Sequence, residues 1–261
     1  MTALGCPVHA MQAVLFQLDI LWENKPANFA KVRQLAEANP PPRGSLVVLP
    51  EMFATGFSCN VAATRQDAAR ETEEFLQTLA RDFGCCVIGG VITVGDDGRA
   101  RNEAVAFGPD GMLARFAKIH PFRKEQEVHT PGAAIVTFPW GGFEVAPLVC
   151  YDLRFPESFR MAARQGASLL VVIANWPIAR IDHWVTLLRA RAIENQAYVI
   201  GVNRCGRDPE LVYNGRSLAV DPHGTILVDA GDGEKVVAAS LDPAVITKWR
   251  EDFPALRDAR W

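Results

Sequence analysis

The chain has 261 residues, of which 49% are hydrophobic and 22% are charged, a balance typical of a globular protein with room for a substantial core. Its formal net charge of −3 argues against a nucleic-acid-binding protein, which needs a basic face. No apolar run is long enough to cross a membrane, so neither nucleic acid nor membrane is an expected partner.

The N-terminal segment makes the cytoplasm the expected compartment. Residues 1–10 lack the basic start and the long apolar centre of a signal peptide. Thiols stay reduced in the cytoplasm. None of the six cysteines forms a C-x-x-C pair, which argues against a zinc site or a redox pair. The simplest interpretation of any one cysteine is a small buried hydrophobic residue.

Helix-like and strand-like segments alternate along most of the chain. A first helix is predicted to begin at Asn24-Lys25-Pro26, because proline is favoured in the first helical turn. Further helices are predicted over residues 67–83, from Pro156 to Gly166, and over residues 182–195. Strands are predicted at residues 14–18, 45–49, 85–94, 104–107, 112–116, 144–149, 169–173, 197–202, 217–220 and 225–228.

Strong turn signals separate several of these strands. Pro109-Asp110-Gly111 predicts the turn of a hairpin, and Gly141-Gly142 separates two further short strands. A final strand and a short helix close the chain. Since there is no repeat and no obvious linker, the pattern predicts one domain, residues 1–261, of the α/β class, in which helices cover sheets.

Three polar residues stand at the ends of apolar strands. Glu51, Lys118 and Cys150 each follow a run of buried-type residues. Ligand sites in layered α/β folds gather at the carboxyl ends of strands, so these three side chains could meet in one crevice. The competing interpretation is that charged residues simply mark where strands reach water.

The segment around Cys150 carries the most information. A predicted strand delivers the cysteine, residues 151–155 turn sharply, and Pro156 opens a helix. This arrangement resembles the nucleophile elbow of serine hydrolases in logic, though not in motif. It would leave backbone N–H groups near the thiol, where an oxyanion could form. The alternative is a buried structural cysteine at a strand end.

Three motifs resemble those of the nitrilase, or carbon–nitrogen hydrolase, superfamily. They are Leu49-Pro50-Glu51-Met52-Phe53 with Gly56-Phe57, Lys118-Ile119-His120, and Val149-Cys150-Tyr151-Asp152-Leu153-Arg154-Phe155-Pro156-Glu157. The resemblance covers nearly the whole chain, which leaves residues 1–10 as a loose extension. Ala174-Asn175-Trp176-Pro177, residues 189–198 and Asn203-Arg204 are similar to the omega-amidase branch.

The resemblance implies a fold and an activity. The fold would be a four-layer α-β-β-α sandwich that pairs through a helical face into a homodimer. The activity would be hydrolysis of the terminal amide of small 2-oxo acids, such as 2-oxoglutaramate or 2-oxosuccinamate, without a cofactor. Other amidases of the superfamily, acting on deaminated glutathione or N-carbamoyl compounds, are alternatives, and an inactive binding subunit is a third.

The resemblance also implies roles for individual residues. Cys150 would be the nucleophile, Glu51 the proton carrier, and Lys118 the electrostatic stabiliser of the oxyanion beside the backbone N–H of Tyr151. The second glutamate of the family falls on Glu125, seven residues before Gly132, with Glu127 as a near competitor.

A 2-oxo acid substrate carries a carboxylate that needs a cationic partner. Arg154 and Arg123 are candidates, although Arg154 could equally pair with Asp152 or Glu157 as part of the scaffold. Trp176 is expected to wall the substrate pocket or to pack in the core. No metal is expected, because the five histidines lack H-E-x-x-H spacing, and His120 is interpreted as structural.

Overall fold

In a computed structural model, which describes residues 10–260, the first half of the chain and one late strand form a six-stranded mixed sheet. Its order is β14-β1-β2-β3-β4-β5. β1–β2 and β2–β3 are parallel pairs, and the other pairs are antiparallel. The strands are β1 (Met11–Gln17), β2 (Leu46–Val48), β3 (Cys86–Val94), β4 (Ala100–Gly108), β5 (Gly111–Ala117) and the late β14 (Lys235–Leu241).

The second half forms another six-stranded sheet, with the order β13-β12-β9-β8-β7-β6. Its centre, β7-β8-β9, is parallel, so these three strands bring their carboxyl ends to one edge. The strands are β6 (Phe138–Trp140), β7 (Phe143–Val149), β8 (Leu169–Ala174), β9 (Tyr198–Asn203), β12 (Leu218–Val220) and β13 (Ile226–Asp229). A small separate hairpin joins β10 (Cys205–Arg207) to β11 (Val212–Asn214).

Helices connect and cover these sheets. They are α1 (Lys25–Ala38), α2 (Val61–Thr64), α3 (Glu71–Phe83), α4 (Glu125–Val128), α5 (Pro156–Arg164), α6 (Ile181–Asn195), α7 (Pro243–Asp252) and α8 (Ala255–Asp258). Two short 3-10 helices cover Cys150–Arg154 and Ile178–Arg180. Residues 10–260 include no helix with the length and apolar character that a membrane span requires.

The side chains of β1 show how the layers are built. Val14 and Phe16 enter an outer core with α1 and α3, whereas Ala13 and Leu15 enter a central core shared with the second sheet. Alternation of this kind follows from the two-residue period of a strand. On the far side, buried residues of α5 and α6 such as Phe159 pack against the second sheet. The predicted layered α/β architecture is therefore the observed one.

The differences from the predicted elements are local. The helix predicted from residue 67 begins at Glu71, because residues 67–70 form a turn in which Arg70 takes a left-handed φ of +56°. The helices and strands that the sequence pattern missed have only three or four residues, too few to show a period; they are α2, α4, α8, β10 and β11. The predicted N-terminal extension lies, apart from residue 10, outside the described residues.

One glycine brings the first site segment close to its sheet. A Cβ atom on Gly90, in the middle of β3, would lie 2.3 Å from the backbone nitrogen of Met52 and 2.8 Å from the Cα of Glu51. No side chain fits there without moving backbone, so the loop after β2 can lie against β3 only because residue 90 is glycine.

We expect Gly90→Ala to lower the free energy of unfolding by about 1–3 kcal/mol, the usual cost of overpacking a tight interior. Chemical denaturation monitored by circular dichroism measures this change. Gly108→Ala is the matched control, because its Cβ would meet only the movable side chain of Leu113, at 3.3 Å. Equal stability of the two variants would contradict the close-approach explanation.

Candidate active site

Cys150 lies at a strained turn between β7 and α5. It directly follows the last residue of β7, and its φ of +46° is in the left-handed region, which costs energy for a residue with a Cβ. Asp152 braces the turn, because its carboxylate accepts from the backbone N–H of Val149 at 3.2 Å and of His120 at 2.9 Å. The predicted strand–turn–helix geometry around the thiol is present, with a 3-10 helix as the turn.

His120 belongs to the support of that turn. Its Nδ1 lies 2.8 Å from Asp152 Oδ1, and its ring stacks on Phe155 with centroids 3.6 Å apart. Both contact residues, Asp152 and Phe155, belong to the turn that follows Cys150. His120, two residues after Lys118, therefore supports the turn that carries Cys150.

A buried ion cluster stands beside the thiol. The ammonium of Lys118, directly after β5, donates to Glu51 Oε1 at 2.9 Å and to Glu125 Oε2 at 2.7 Å. The side chains of all three residues are at most 1% exposed. Glu51 follows β2 and Glu125 begins α4, so three separate segments of the first half converge on one ammonium. Glu127, the other candidate for the second glutamate, is exposed on the far side of α4.

Two asparagines complete the cluster, and the sequence pattern missed both. Asn102, within β4, donates through Nδ2 to Glu51 Oε1 at 2.8 Å and to Glu125 Oε1 at 2.9 Å. Asn175 directly follows β8, and its backbone N–H donates to Glu51 Oε2 at 2.9 Å. Its position at the end of a strand is the same signal that singled out Cys150, so this residue could have been found. Asn102 is inside a strand and offered no such signal.

Asn175 links the carboxylate to the thiol. Its amide N–H2 donates to the backbone carbonyl of Glu51 at 2.7 Å, while its own backbone carbonyl lies 4.0 Å from the Sγ of Cys150. β7 and β8 are parallel neighbours, so residues 150 and 175 leave the sheet side by side. Asn175 therefore contacts both Glu51 and Cys150, although these two residues follow strands of different sheets.

Burial and charge determine the ionisation of the cluster. Burial and the neighbouring Glu51 carboxylate raise the pKa of the Cys150 thiol well above its usual value, although Lys118 opposes them. Burial alone would lower the pKa of Lys118, but Glu125, Glu51 and Cys150 outweigh it and raise that pKa. Burial likewise disfavours ionised Glu125, yet Lys118 and hydrogen bonds lower its pKa to about 2. Lys118 and Glu125 are therefore charged at neutral pH, and Cys150 is a thiol.

A narrow pocket opens onto the thiol. It is lined by Phe57, Phe122, Cys150, Tyr151, Arg154, Asn175, Trp176, Pro177, Arg180, Leu211 and Tyr213. The three residues expected to bind substrate, Tyr151, Arg154 and Trp176, are thus all at its wall. Arg180, on the 3-10 helix after Trp176, also lines it, although sequence analysis did not single it out. Arg123, the other candidate partner for the substrate carboxylate, lines a neighbouring outer pocket.

Arg154 and Trp176 touch each other in this wall. The guanidinium carbon of Arg154 lies 4.8 Å from the centre of the Trp176 ring, and its Nη2 lies 3.2 Å from His183 Nδ1. In the part of the chain that the structure describes, Arg154 forms no ion pair with Asp152 or Glu157, the two acids considered as its scaffold partners; the carboxylate of Asp152 pairs with His120 instead. The guanidinium therefore remains available to a ligand.

Within residues 10–260, no group of three or more His, Cys, Asp or Glu side chains is arranged to hold a metal ion. The cysteines in that range are all free thiols: Cys59, Cys85, Cys86, Cys150 and Cys205. What the site offers is two carboxyl groups in contact with an ammonium, beside a thiol. These are the groups required for nucleophilic acyl transfer with proton transfer.

Known proteins share both the sequence and the fold. The carbon–nitrogen hydrolase family model matches residues 12–251. Omega-amidase YafV of Yersinia enterocolitica is 38% identical over 95% of this chain and 96% of its own length. A 2-oxoglutaramate amidase of Bacillus subtilis is 31% identical over 94% of this chain and 95% of its own length.

A solved structure agrees. The carbon–nitrogen hydrolase superfamily protein from Xanthomonas campestris, determined with an arsenic adduct in its active site, matches with a TM-score of 0.89 and 32% identity. The match covers 97% of this chain and 98% of that one. The superfamily and the omega-amidase branch predicted from the motifs are confirmed by these similarities. This chain therefore belongs to the carbon–nitrogen hydrolase family and is a hydrolase of carbon–nitrogen bonds.

Proposed function

We propose that the enzyme is an omega-amidase that hydrolyses the terminal amide of small 2-oxo acid amides, 2-oxoglutaramate or 2-oxosuccinamate, to the acid and ammonia. The names of the relatives from Yersinia enterocolitica and Bacillus subtilis support this substrate class. The observation that carries the chemistry is the buried cluster in which Glu51 and Glu125 share the ammonium of Lys118 beside Cys150.

In the first half of the reaction, Cys150 attacks the amide carbon. Because its pKa is raised, the sulfur carries its proton in the free enzyme, and Glu51 accepts that proton as the C–S bond forms. Glu51 then returns the proton to the amide nitrogen, the C–N bond breaks, and ammonia leaves a thioester behind. The contacts of Asn175 support this role, since the same residue donates to Glu51 Oε2 and lies 4.0 Å from the sulfur through its carbonyl.

The tetrahedral intermediate carries a negative oxygen that must be stabilised. Lys118 supplies a permanent positive charge, because its pKa is raised by the two carboxylates. The backbone N–H of Tyr151, in the first turn of the 3-10 helix after Cys150, supplies a donor. Glu125 keeps the ammonium in place with a carboxylate whose pKa is about 2. In the second half, Glu51 takes a proton from a water molecule as that water attacks the thioester carbon. The C–S bond then breaks, the acid leaves, and Glu51 returns the proton to the sulfur of Cys150.

The substrate carboxylate is proposed to bind Arg154. The guanidinium lies in the pocket wall, is held against the Trp176 ring and has no carboxylate partner among the described residues. A charge-assisted bond to a guanidinium orients a substrate as well as attracting it. With the carboxylate at Arg154, the far amide of a short substrate is directed toward Cys150.

The assembly and the compartment complete the proposal. We infer one domain, residues 1–261, supported by a family match over residues 12–251. We also infer a homodimer that pairs through α5 and α6, where Met161 and Ile193 are large apolar side chains with 47% and 52% exposure. The cytoplasm is the proposed compartment, because a thiol nucleophile needs reducing conditions.

Incubation with 2-oxosuccinamate followed by intact-mass analysis should reveal an acyl adduct, since the thioester is covalent. Cys150→Ala should abolish both the adduct and the release of ammonia. Cys59→Ala is the matched control, because Cys59 lies in the neighbouring outer pocket, and it should retain both. Turnover by Cys150→Ala would refute the nucleophile. Preference for deaminated glutathione or an N-carbamoyl compound in the same assay would refute the substrate class, and absence of any turnover would favour an inactive binding subunit.

Glu51→Gln should separate the acidity of the thiol from catalysis. The variant removes the carboxylate that raises the pKa of Cys150 and keeps Lys118, which lowers it. Alkylation by iodoacetamide at about pH 7.5 should therefore become faster, while amide hydrolysis should fall by about 10²- to 10⁴-fold with the loss of its proton carrier. Glu127→Gln, on the exposed side of α4, is the control and should change neither rate. Slower alkylation in Glu51→Gln would contradict the proposed electrostatics.

Light scattering coupled to gel filtration tests the dimer. At micromolar concentration the protein should elute with twice the mass of one chain. Met161→Glu puts a charge on the proposed helical face and should shift the population to single chains, because a buried unpaired charge is costly. A wild-type protein that elutes as a single chain would rule out this assembly.

A further inference from the structure

The pocket at Cys150 has an unusual charge balance. Among the described residues that line it there are two arginines, Arg154 and Arg180, and no acid. We propose that Arg180 is a second guanidinium that binds the carboxylate end of the substrate together with Arg154, so that the site selects 2-oxo acid amides over neutral amides. This inference rests on the proposed omega-amidase function and assigns its selectivity to a particular residue.

Trp176 contacts both arginine residues. Its ring face carries the guanidinium of Arg154 at 4.8 Å, and its indole N–H donates to the backbone carbonyl of Arg180 at 2.8 Å. The tryptophan is itself fixed, because its backbone N–H donates to Asn203 Oδ1 at 2.7 Å and its side chain is buried. Trp176 therefore contacts the side chain of Arg154 and fixes the backbone of Arg180, so both residues are held against the same buried ring.

The side chain of Arg180 has no acidic partner of its own. Its guanidinium carbon lies 5.7 Å from the centre of the Phe122 ring, and no carboxylate within residues 10–260 is at ion-pair distance. Arginines that are half-buried are usually paired, because their charge is otherwise poorly solvated. An unpaired guanidinium in the wall of a substrate pocket is suited to an anion that arrives from solution.

The chemistry of a 2-oxo acid matches two guanidinium groups. A carboxylate has about four acceptor positions, so it can accept a bidentate pair from one guanidinium and still accept from another, and the adjoining keto oxygen adds a further acceptor. The catalytic cluster does not attract anions, since it holds two carboxyl groups against one ammonium. The positive charges of the two arginines in the wall offset the net negative charge of the cluster, which favours an anionic substrate.

Arg123 provides a matched control. Its guanidinium carbon lies 5.1 Å from the centre of the same Phe122 ring, close to the 5.7 Å of Arg180. It lines the outer pocket with Trp22 and Cys59 and does not line the pocket at Cys150. A loss shared by variants of both arginines would report packing on Phe122, whereas a loss confined to Arg180 would report binding in the pocket.

The experiment measures kcat and KM of wild type, Arg180→Met and Arg123→Met on 2-oxosuccinamate, succinamate and butyramide. These amides carry a carboxylate with a keto group, a carboxylate alone, and neither. We expect Arg180→Met to lose about 10- to 100-fold in kcat/KM on 2-oxosuccinamate, mainly through KM, because a hydrogen bond to a charged group is lost. Butyramide should change less than about 3-fold, succinamate should fall between the two, and Arg123→Met should leave all three unchanged.

Arg180→Lys keeps the charge without the planar fork, so it should recover part of the loss and also protects the test against a misfolded methionine variant. An equal loss on butyramide, or wild-type kinetics of Arg180→Met on 2-oxosuccinamate, would overturn the role of Arg180 and leave the omega-amidase proposal intact. A wild-type enzyme that hydrolyses butyramide but neither anionic amide would refute the proposed function, and the inference with it.

Discussion

The ammonium of Lys118, held in the interior between two glutamates, is the interaction on which the rest of the site depends. Removing three charged groups from water costs several kcal/mol for each, and the cost is recovered only when every group finds partners at good distances. Lys118 donates to Glu51 and Glu125, and Asn102 donates to the same two carboxyl groups from another side. Together with the bonds from Asn175, these contacts fix the orientation of the Glu51 carboxyl group.

The two sheets divide the work of building this site. The first sheet and its connections supply Glu51, Asn102, Lys118 and Glu125, whereas the second supplies Cys150, Asn175 and the tryptophan that follows it. The bonds from Asn175 to Glu51 cross from one sheet to the other. The site is therefore complete only when the sheets are packed face to face. Since β14 pairs with β1 in the first sheet, that packing also requires a strand from near the end of the chain.

Much of this could be predicted from the sequence, for physical reasons that differ between residues. The strands could be predicted because buried strands are nearly continuous apolar runs. Glu51, Lys118 and Cys150 could be predicted because each is a polar residue at the end of such a run. Glu125 begins a helix of four residues, which has no detectable period, so only the family resemblance pointed to it. Asn102 and Arg180 became visible only through tertiary contacts: one lies inside a strand, and the other lies in a three-residue 3-10 helix.

The raised pKa of the Cys150 thiol has a consequence for the durability of the enzyme. Peroxide and related oxidants react with the thiolate form of cysteine, and the sulfinic and sulfonic products cannot be restored by ordinary reductants. Burial and Glu51 raise the pKa of the resting thiol, which favours the protonated sulfur and lowers the fraction of thiolate between turnovers. The same environment that makes the nucleophile dependent on its proton carrier thereby shields it from oxidative inactivation between turnovers.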